Sequence, residues 1–167
     1  MKKIALEEHF LSPGLIEYWQ PTMKDVPREG YERIFTALTD FGEKRLRAMD
    51  EAGIDEAVLS ISGPGVQIEA DAAKATARAA QSNDFLAAAV ATNPRRYFGF
   101  AHLALQNPEA AARELERCVK ELGFKGAMIN GHTNGHYLDE PQFDPFWAKT
   151  EELQVPVYLH PADPLLQ

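Results

Sequence analysis

Short apolar runs alternate along this chain with longer stretches that carry apolar side chains at helical spacing. The runs cover residues 3–6, 57–61, 98–103, 127–129 and 155–159. Each is bounded by polar or turn residues, the pattern of strands buried in a parallel sheet. Between them, residues 40–52 place Leu46 and Met49 on one helical face before Gly53, and 69–91 is alanine-rich and strongly helix-forming. Residues 108–122 open behind Asn107 with proline in the first helical position and close at Gly123, and 143–153 carries Phe146 and Trp147 toward the core. Residues 11–39, rich in turn formers and in aromatics such as Tyr18, Trp19, Tyr31 and Phe35, read as a long excursion with short helices over one end of the sheet. Strand followed by helix throughout predicts right-handed βαβ units and a parallel sheet, either doubly wound or closed as a (β/α) barrel.

Composition narrows the class without changing that pattern. A length of 167 residues with 45% hydrophobic and 25% charged side chains is that of one soluble domain with a core large enough to need no disulfide. The single cysteine, Cys118, sits in the helical pattern ARELERCVKEL and can form neither an internal bridge nor a thiolate cluster, which fits a reducing compartment. Seventeen basic against 25 acidic residues give a net charge of -8, which opposes binding to nucleic acid and to anionic membranes. No stretch approaches the ~20 apolar residues of a membrane span, and MKKIALEEHF lacks the apolar region of a signal peptide, so a cytoplasmic protein is expected.

Ligand sites of parallel α/β folds form at the carboxyl ends of the strands, and the residues there are rich in chemistry. The first run ends in Glu7, Glu8 and His9, the second opens into Ser60, Ser62 and Gly63-Pro64-Gly65, and the third holds His102. The fourth runs into Asn130, Gly131 and His132, and the fifth ends in His160-Pro161. Period-2 alternation puts Glu7 and His9 on one face of a strand, a carboxylate and an imidazole suited to zinc, manganese or iron rather than calcium. The same residues would also serve as a solvated strand end with Glu8 in a surface ion pair. His160 alone reads as readily as a core or loop histidine; in a barrel, however, it would share a mouth with Glu7 and His9. His102 fits either a substrate contact or a buried histidine bonded to backbone. His132 and His136, in the turn-rich loop GHTNGHYLDE, could close over a substrate or stand in solvent, and the Asn130 amide could orient a polar substrate atom. Substrate contacts are thus expected from Asn130, Ser62, His102 and His132. No phosphate loop, dinucleotide fingerprint or nucleophile elbow is present.

Together the segments IALEEHF, AVLSISGPGVQ, FGFAHLALQNPEAAARELERCV, GFKGAMINGH and YLDEPQFDPFWAKTEELQVPVYLHP resemble the first half of the amidohydrolase-related metal-dependent decarboxylases, the group that includes γ-resorcylate and 2,3-dihydroxybenzoate decarboxylases. The resemblance implies a (β/α)8 TIM barrel with one divalent metal ion, zinc or manganese, at its mouth. The family's Glu-x-His on strand one maps onto Glu7 and His9, and its strand-five histidine onto His160. A histidine after strand six and an aspartate after strand eight, which completes the metal shell and handles the proton, have no counterpart among these residues, so the catalytic acid remains unassigned. Residues 1–167 are accordingly expected to be the N-terminal part of one barrel domain, about five β/α units, inactive alone and prone to associate. The implied activity of the complete protein is non-oxidative decarboxylation of an ortho-hydroxybenzoate, with a small aromatic acid as partner, no redox cofactor and a homo-oligomeric assembly. Rival expectations are a hydrolase of an amide or lactone in the same superfamily and a non-catalytic half-barrel. The loop NGHTNGHYLDEP is shorter than in the best-known members, and it borders the substrate pocket.

Overall fold

The computed structural model describes residues 1–164. Five parallel strands follow one another in chain order: β1 (Ile4–Phe10), β2 (Glu56–Ile61), β3 (Tyr97–Gly99), β4 (Ala127–Asn130) and β5 (Val157–His160). β1 pairs with β2 and β2 with β3, while β4 pairs with β5. β3 and β4 meet at a bridge between Ala101 and Ala127. Around it the Lys125 N–H donates to the Gly99 carbonyl at 2.9 Å, Ala101 N–H to Gly126 at 2.8 Å and Met128 N–H to Ala101 at 3.1 Å. The order β1-β2-β3-β4-β5 is that of a (β/α) barrel; a doubly wound sheet would place β1 centrally and reverse direction beside it.

The outer helices form where the sequence caps them. Asp71 opens α4 (Ala72–Thr92), its carboxylate accepting the N–H groups of Ala73 at 2.8 Å and Lys74 at 3.0 Å. Asn107 does the same for α5 (Pro108–Lys120) through Ala110 at 3.1 Å. α3 (Glu43–Ala52) stops at Gly53, whose φ of 64° takes the left-handed turn that a side chain would strain. α6 (Asp144–Leu153) precedes β5. The excursion contains a single turn, α1 (Ile16–Trp19), and the longer α2 (Arg28–Thr39), which leans on β1 without burying a residue. Leu59, Leu86, Leu103, Leu115, Ile129 and Phe146 form the core between strands and helices. No helix among the described residues is long and apolar enough to cross a membrane.

Two strand boundaries differ from those read off the apolar runs, and both differences bear on the site. β1 continues through Glu7, Glu8 and His9 to Phe10, so the charged run lies inside a strand rather than beyond it. The third strand has a ladder of only Tyr97–Gly99, and residues 100–105 are buried with the single bridge at Ala101. An apolar run measures burial, whereas a ladder measures backbone pairing, and at a barrel mouth the two part company. The outermost strands keep large apolar side chains in solvent: Ile4 and Leu6 on β1, Leu159 on β5.

Candidate metal centre

β1 delivers its polar residues through a break in its register. Ala5 pairs with Ala57 and Glu8 with Leu59, so β1 spends one extra residue there, and Glu7 has φ of 58°. Simple alternation is therefore not what aims Glu7; the bulge is. Beyond it the ladder resumes, with His9 opposite Ser60.

Two contacts join β1 to β5. The His9 and His160 rings lie edge to face, 5.1 Å between centroids at 68°. Two residues back along each strand, the Tyr158 hydroxyl donates to Glu7 Oε1 at 2.7 Å. Since alternate residues of a strand share a face, Tyr158 and His160 face the same side. The bond to Glu7 pushes the Tyr158 phenol above its ordinary range.

Each ring of the pair has its Nδ1 engaged. His160 Nδ1 is 2.8 Å from the Pro161 carbonyl, which can only accept, so Nδ1 carries a proton and Nε2 is the nitrogen left for a ligand. His9 Nδ1 is 3.2 Å from the Ser60 hydroxyl, which is fully buried. Burial lowers the His9 pKa, the neighbouring His160 lowers it further, and the Glu7 carboxylate and the Ser60 main chain oppose them. The neutral imidazole that metal ligation requires is thus the form His9 prefers. Arg45 fixes the backbone behind it, its guanidinium donating to the His9 carbonyl and to the Ala37 carbonyl at 2.8 Å each while reaching Glu8 at 3.5 Å. Glu8 is the ion-paired member of the run, the role that the reading of a solvated strand end gave it.

The donor set, two imidazoles with Nδ1 committed and one carboxylate, suits a borderline divalent ion. The three tips are not drawn together to bonding distance: among the described residues no three His, Cys, Asp or Glu side chains are grouped closely enough to hold a metal ion. Glu7 spends one oxygen on Tyr158 instead. A cleft of about 750 Å³ opens beside these residues, bounded by Glu7, Glu8 and His9 on β1 and by Glu29, Arg33 and Thr36 on α2.

The other strand ends divide. Asn130 pairs in register with His160, is 4% exposed, and finds no partner for either amide atom among the described residues. Its Oδ1 lies 3.3 Å from where a side chain on Gly63 would begin. Ser62 is half-buried after β2, its N–H donating to Phe10 at 2.8 Å. His132 is half-exposed after β4 and lies edge-on to Tyr137, and His136 pairs with Glu140 in solvent. His102 is 1% exposed; its Nε2 accepts the Val66 N–H at 2.9 Å, and Asn83 holds its own N–H and carbonyl. Burial pushes its pKa down to about 3. No substrate can touch it in this arrangement. Tyr158 and Arg45 were invisible as site residues in the sequence: a tyrosine in an apolar run reads as a strand former, and an arginine in α3 reads as a solvated helix face.

Known proteins share this fold. The amidohydrolase family model matches residues 9–166. The γ-resorcylate decarboxylase of Polaromonas sp. strain JS666 is 46% identical over 98% of this chain, and that of Rhizobium sp. strain MTP-10005 is 44% identical over 99%. The chain spans about half the length of the curated relatives it matches, 51% in both cases. A crystal structure of the Polaromonas dihydroxybenzoic acid decarboxylase, with bound manganese and the inhibitor 2-nitroresorcinol, superposes with a TM-score of 0.90 over 98% of this chain and 50% of its own. A 2,6-dihydroxybenzoate decarboxylase complexed with 2,6-dihydroxybenzoate, 43% identical, superposes equally well at 0.90 over 99% of this chain and 52% of its own. Strand order and sequence therefore converge, and the chain belongs to the amidohydrolase family, with the fold of about half of its TIM barrel.

Proposed function

We propose that residues 1–167 are the N-terminal part of one (β/α)8-barrel domain whose complete form is a metal-dependent, non-oxidative decarboxylase of an ortho-hydroxylated aromatic acid. The observation that carries this reading is the His9–His160 pair. Two imidazoles from strands β1 and β5 meet beside the carboxylate of Glu7, and each has its Nδ1 committed.

Glu7, His9 and His160 would hold a divalent zinc or manganese ion, which would supply Lewis acidity toward an ortho-hydroxylated aromatic acid. The chain's own residues do the rest. Ser60 and the Pro161 carbonyl hold the two rings, and Arg45 holds the main chain of His9. The Asn130 amide, with donor and acceptor both unspent, orients a polar group on the aromatic ring. Ser62 and His132, on the loops after β2 and β4, border the ring. His102 acts from beneath, fixing the Val66 loop rather than touching substrate. As the carboxyl group leaves as carbon dioxide, the electrons of the broken bond return to the ring carbon, which takes a proton. None of Glu7, His9 and His160 is free to be that acid while serving as a ligand, and the family resemblance implies an aspartate after strand eight as the donor. The unpaired, buried Cys118 fits a reducing, cytoplasmic compartment, and Ile4, Leu6 and Leu159, exposed on β1 and β5, are where the remaining strands of the proposed barrel would pack.

The test is carbon dioxide release from 2,6-dihydroxybenzoate by the 167-residue protein and by a form extended by ~100 residues or more, enough to close a barrel. Turnover by the extended form alone, abolished by a chelator, is the expected result. Hydrolysis of a lactone or amide panel without carbon dioxide release would replace the decarboxylase by the hydrolase.

A further inference from the structure

Glu7 is the one member of the proposed ligand set whose position cannot come from strand geometry, because β1 bulges between Ala5 and Glu8 and Glu7 itself sits at φ 58°. A residue other than glycine in that region needs its surroundings to hold it there. The hydrogen bond that holds the Glu7 side chain is the one from Tyr158, at 2.7 Å to Oε1. Arg45, which lines the same cleft, is committed to Glu8 and to main-chain carbonyls instead.

Resting on the metal-centre reading above, we propose that Tyr158 is a positioning residue for Glu7: its phenol engages Oε1 and leaves Oε2 to serve the metal. The choice of donor matters chemically. An arginine or lysine would orient the carboxylate equally well, but its positive charge would cancel the charge that a divalent ion needs from this ligand. A neutral hydroxyl orients without cancelling. Placement supports the same role, since Tyr158 lies two residues before His160 on one face of β5 and Glu7 lies two residues before His9 on β1. The phenol–carboxylate contact and the imidazole pair are therefore consecutive rungs between the same two strands.

The experiment compares the 167-residue protein with Tyr158→Phe, which keeps the ring and removes only the hydroxyl. Without metal, the Glu7 side-chain carboxyl carbon is followed by NMR, and a clear change in its chemical shift in Tyr158→Phe is expected. With manganese, affinity is read by EPR and carboxylate binding by the splitting of its infrared stretches. Tyr158→Phe should bind manganese about tenfold more weakly, the usual scale for losing an outer partner of a ligand. Its infrared splitting should move from the single-oxygen toward the two-oxygen pattern. In a Glu7→Gln background the further change Tyr158→Phe should have no effect on affinity, which a merely structural tyrosine would not satisfy. An unchanged Glu7 resonance, or an affinity in Tyr158→Phe equal to or tighter than wild type, overturns the inference while leaving the metal centre standing. Failure of the wild-type chain to bind manganese in both the 167-residue and the extended form overturns the metal-centre reading itself, and the positioning role falls with it; where only the extended form binds, the comparison is made in that form.

Discussion

Three of the histidines at or just beyond strand ends have opposite fates. His102, after β3, is sealed beneath the Gly65–Gln67 turn, where its Nε2 accepts the Val66 N–H. His9 and His160, at the ends of β1 and β5, spend Nδ1 on Ser60 and on the Pro161 carbonyl and meet ring to ring. The difference lies in which nitrogen the protein consumes. A ring whose Nε2 accepts a backbone N–H has no lone pair left there for a metal and becomes a structural acceptor, whereas a neutral ring that donates from Nδ1 presents Nε2 as a ligand. Position at a strand end is thus necessary for the site and not sufficient.

The contrast is sharpest in acid. His102 stays neutral in the folded protein until about pH 3, whereas in the unfolded chain it takes up a proton near its ordinary value of 6.5. Its stabilising contribution is complete above pH 6.5 and is lost as pH falls toward 3, on the order of 4 kcal/mol over the whole window. Between pH 6.5 and 5, before most carboxylates titrate, about 2 kcal/mol should already be gone. Urea midpoints at pH 7 and pH 5 for wild type and His102→Gln check this, and the variant should show the shallower dependence. His9, whose pKa is also lowered, adds a slope of the same sign to both proteins. Equal slopes would mean that His102 is not sealed.

Gly65 is the other half of that seal. Its φ is 62°, and a side chain there would overlap the His102 ring, beginning 2.7 Å from Nε2. Gly65→Ala must strain the backbone and displace the imidazole from Val66, so a loss of about 3 kcal/mol in thermal or urea unfolding is expected. Gly123→Ala, at φ 73° with open space around it, isolates the backbone part alone and should cost only about 1 kcal/mol.

How far these roles could be read beforehand follows from the same residues. The strand order, the helices behind Asn107 and before Gly53, and the histidine of Leu159-His160-Pro161 were legible because each depends on local pattern: apolar runs, caps, and a proline that stops a strand. Alternation also pointed to Glu7 and His9 but for an incomplete reason, since the bulge before Glu8 was not encoded in any run of residue types. His102 was undecidable, because the donor that consumes its Nε2 lies 36 residues away on another loop. Tyr158 and Arg45 stayed hidden because a hydrogen bond across 151 residues, or to a main-chain carbonyl on another element, leaves no periodic trace.

At the open pair the expected signs reverse. His160→Ala removes a proposed ligand and relieves His9 of a neighbour that opposes its protonation. Manganese affinity should fall about a hundredfold or more, at least the upper end seen for losing an outer partner. Unfolding stability should move by no more than about 0.5 kcal/mol, as for a half-exposed side chain. Calorimetric titration together with urea melts measures both. A large stability loss with little change in affinity would make His160 a second His102.

The smallest effect should come from Ser60→Ala, and its size follows from what remains after the hydroxyl is gone. Ser60 is the register partner of His9 in the β1–β2 ladder, so its main chain stays beside the ring whatever side chain it carries, and that main chain already contributes to the His9 environment. The Oγ contact at 3.2 Å adds one neutral hydrogen bond, worth about 1 kcal/mol in unfolding. The hydroxyl can also donate to Nδ1, which would place the proton on Nε2 and silence the ligand, so its loss removes one wrong tautomer along with one right one. Affinity for manganese should therefore drop by about tenfold at most, the lower end for an outer partner. Ser60→Thr, which restores the hydroxyl, should recover it. A loss in Ser60→Ala as large as in His160→Ala would show that the side chain, rather than the strand register, holds His9 in place.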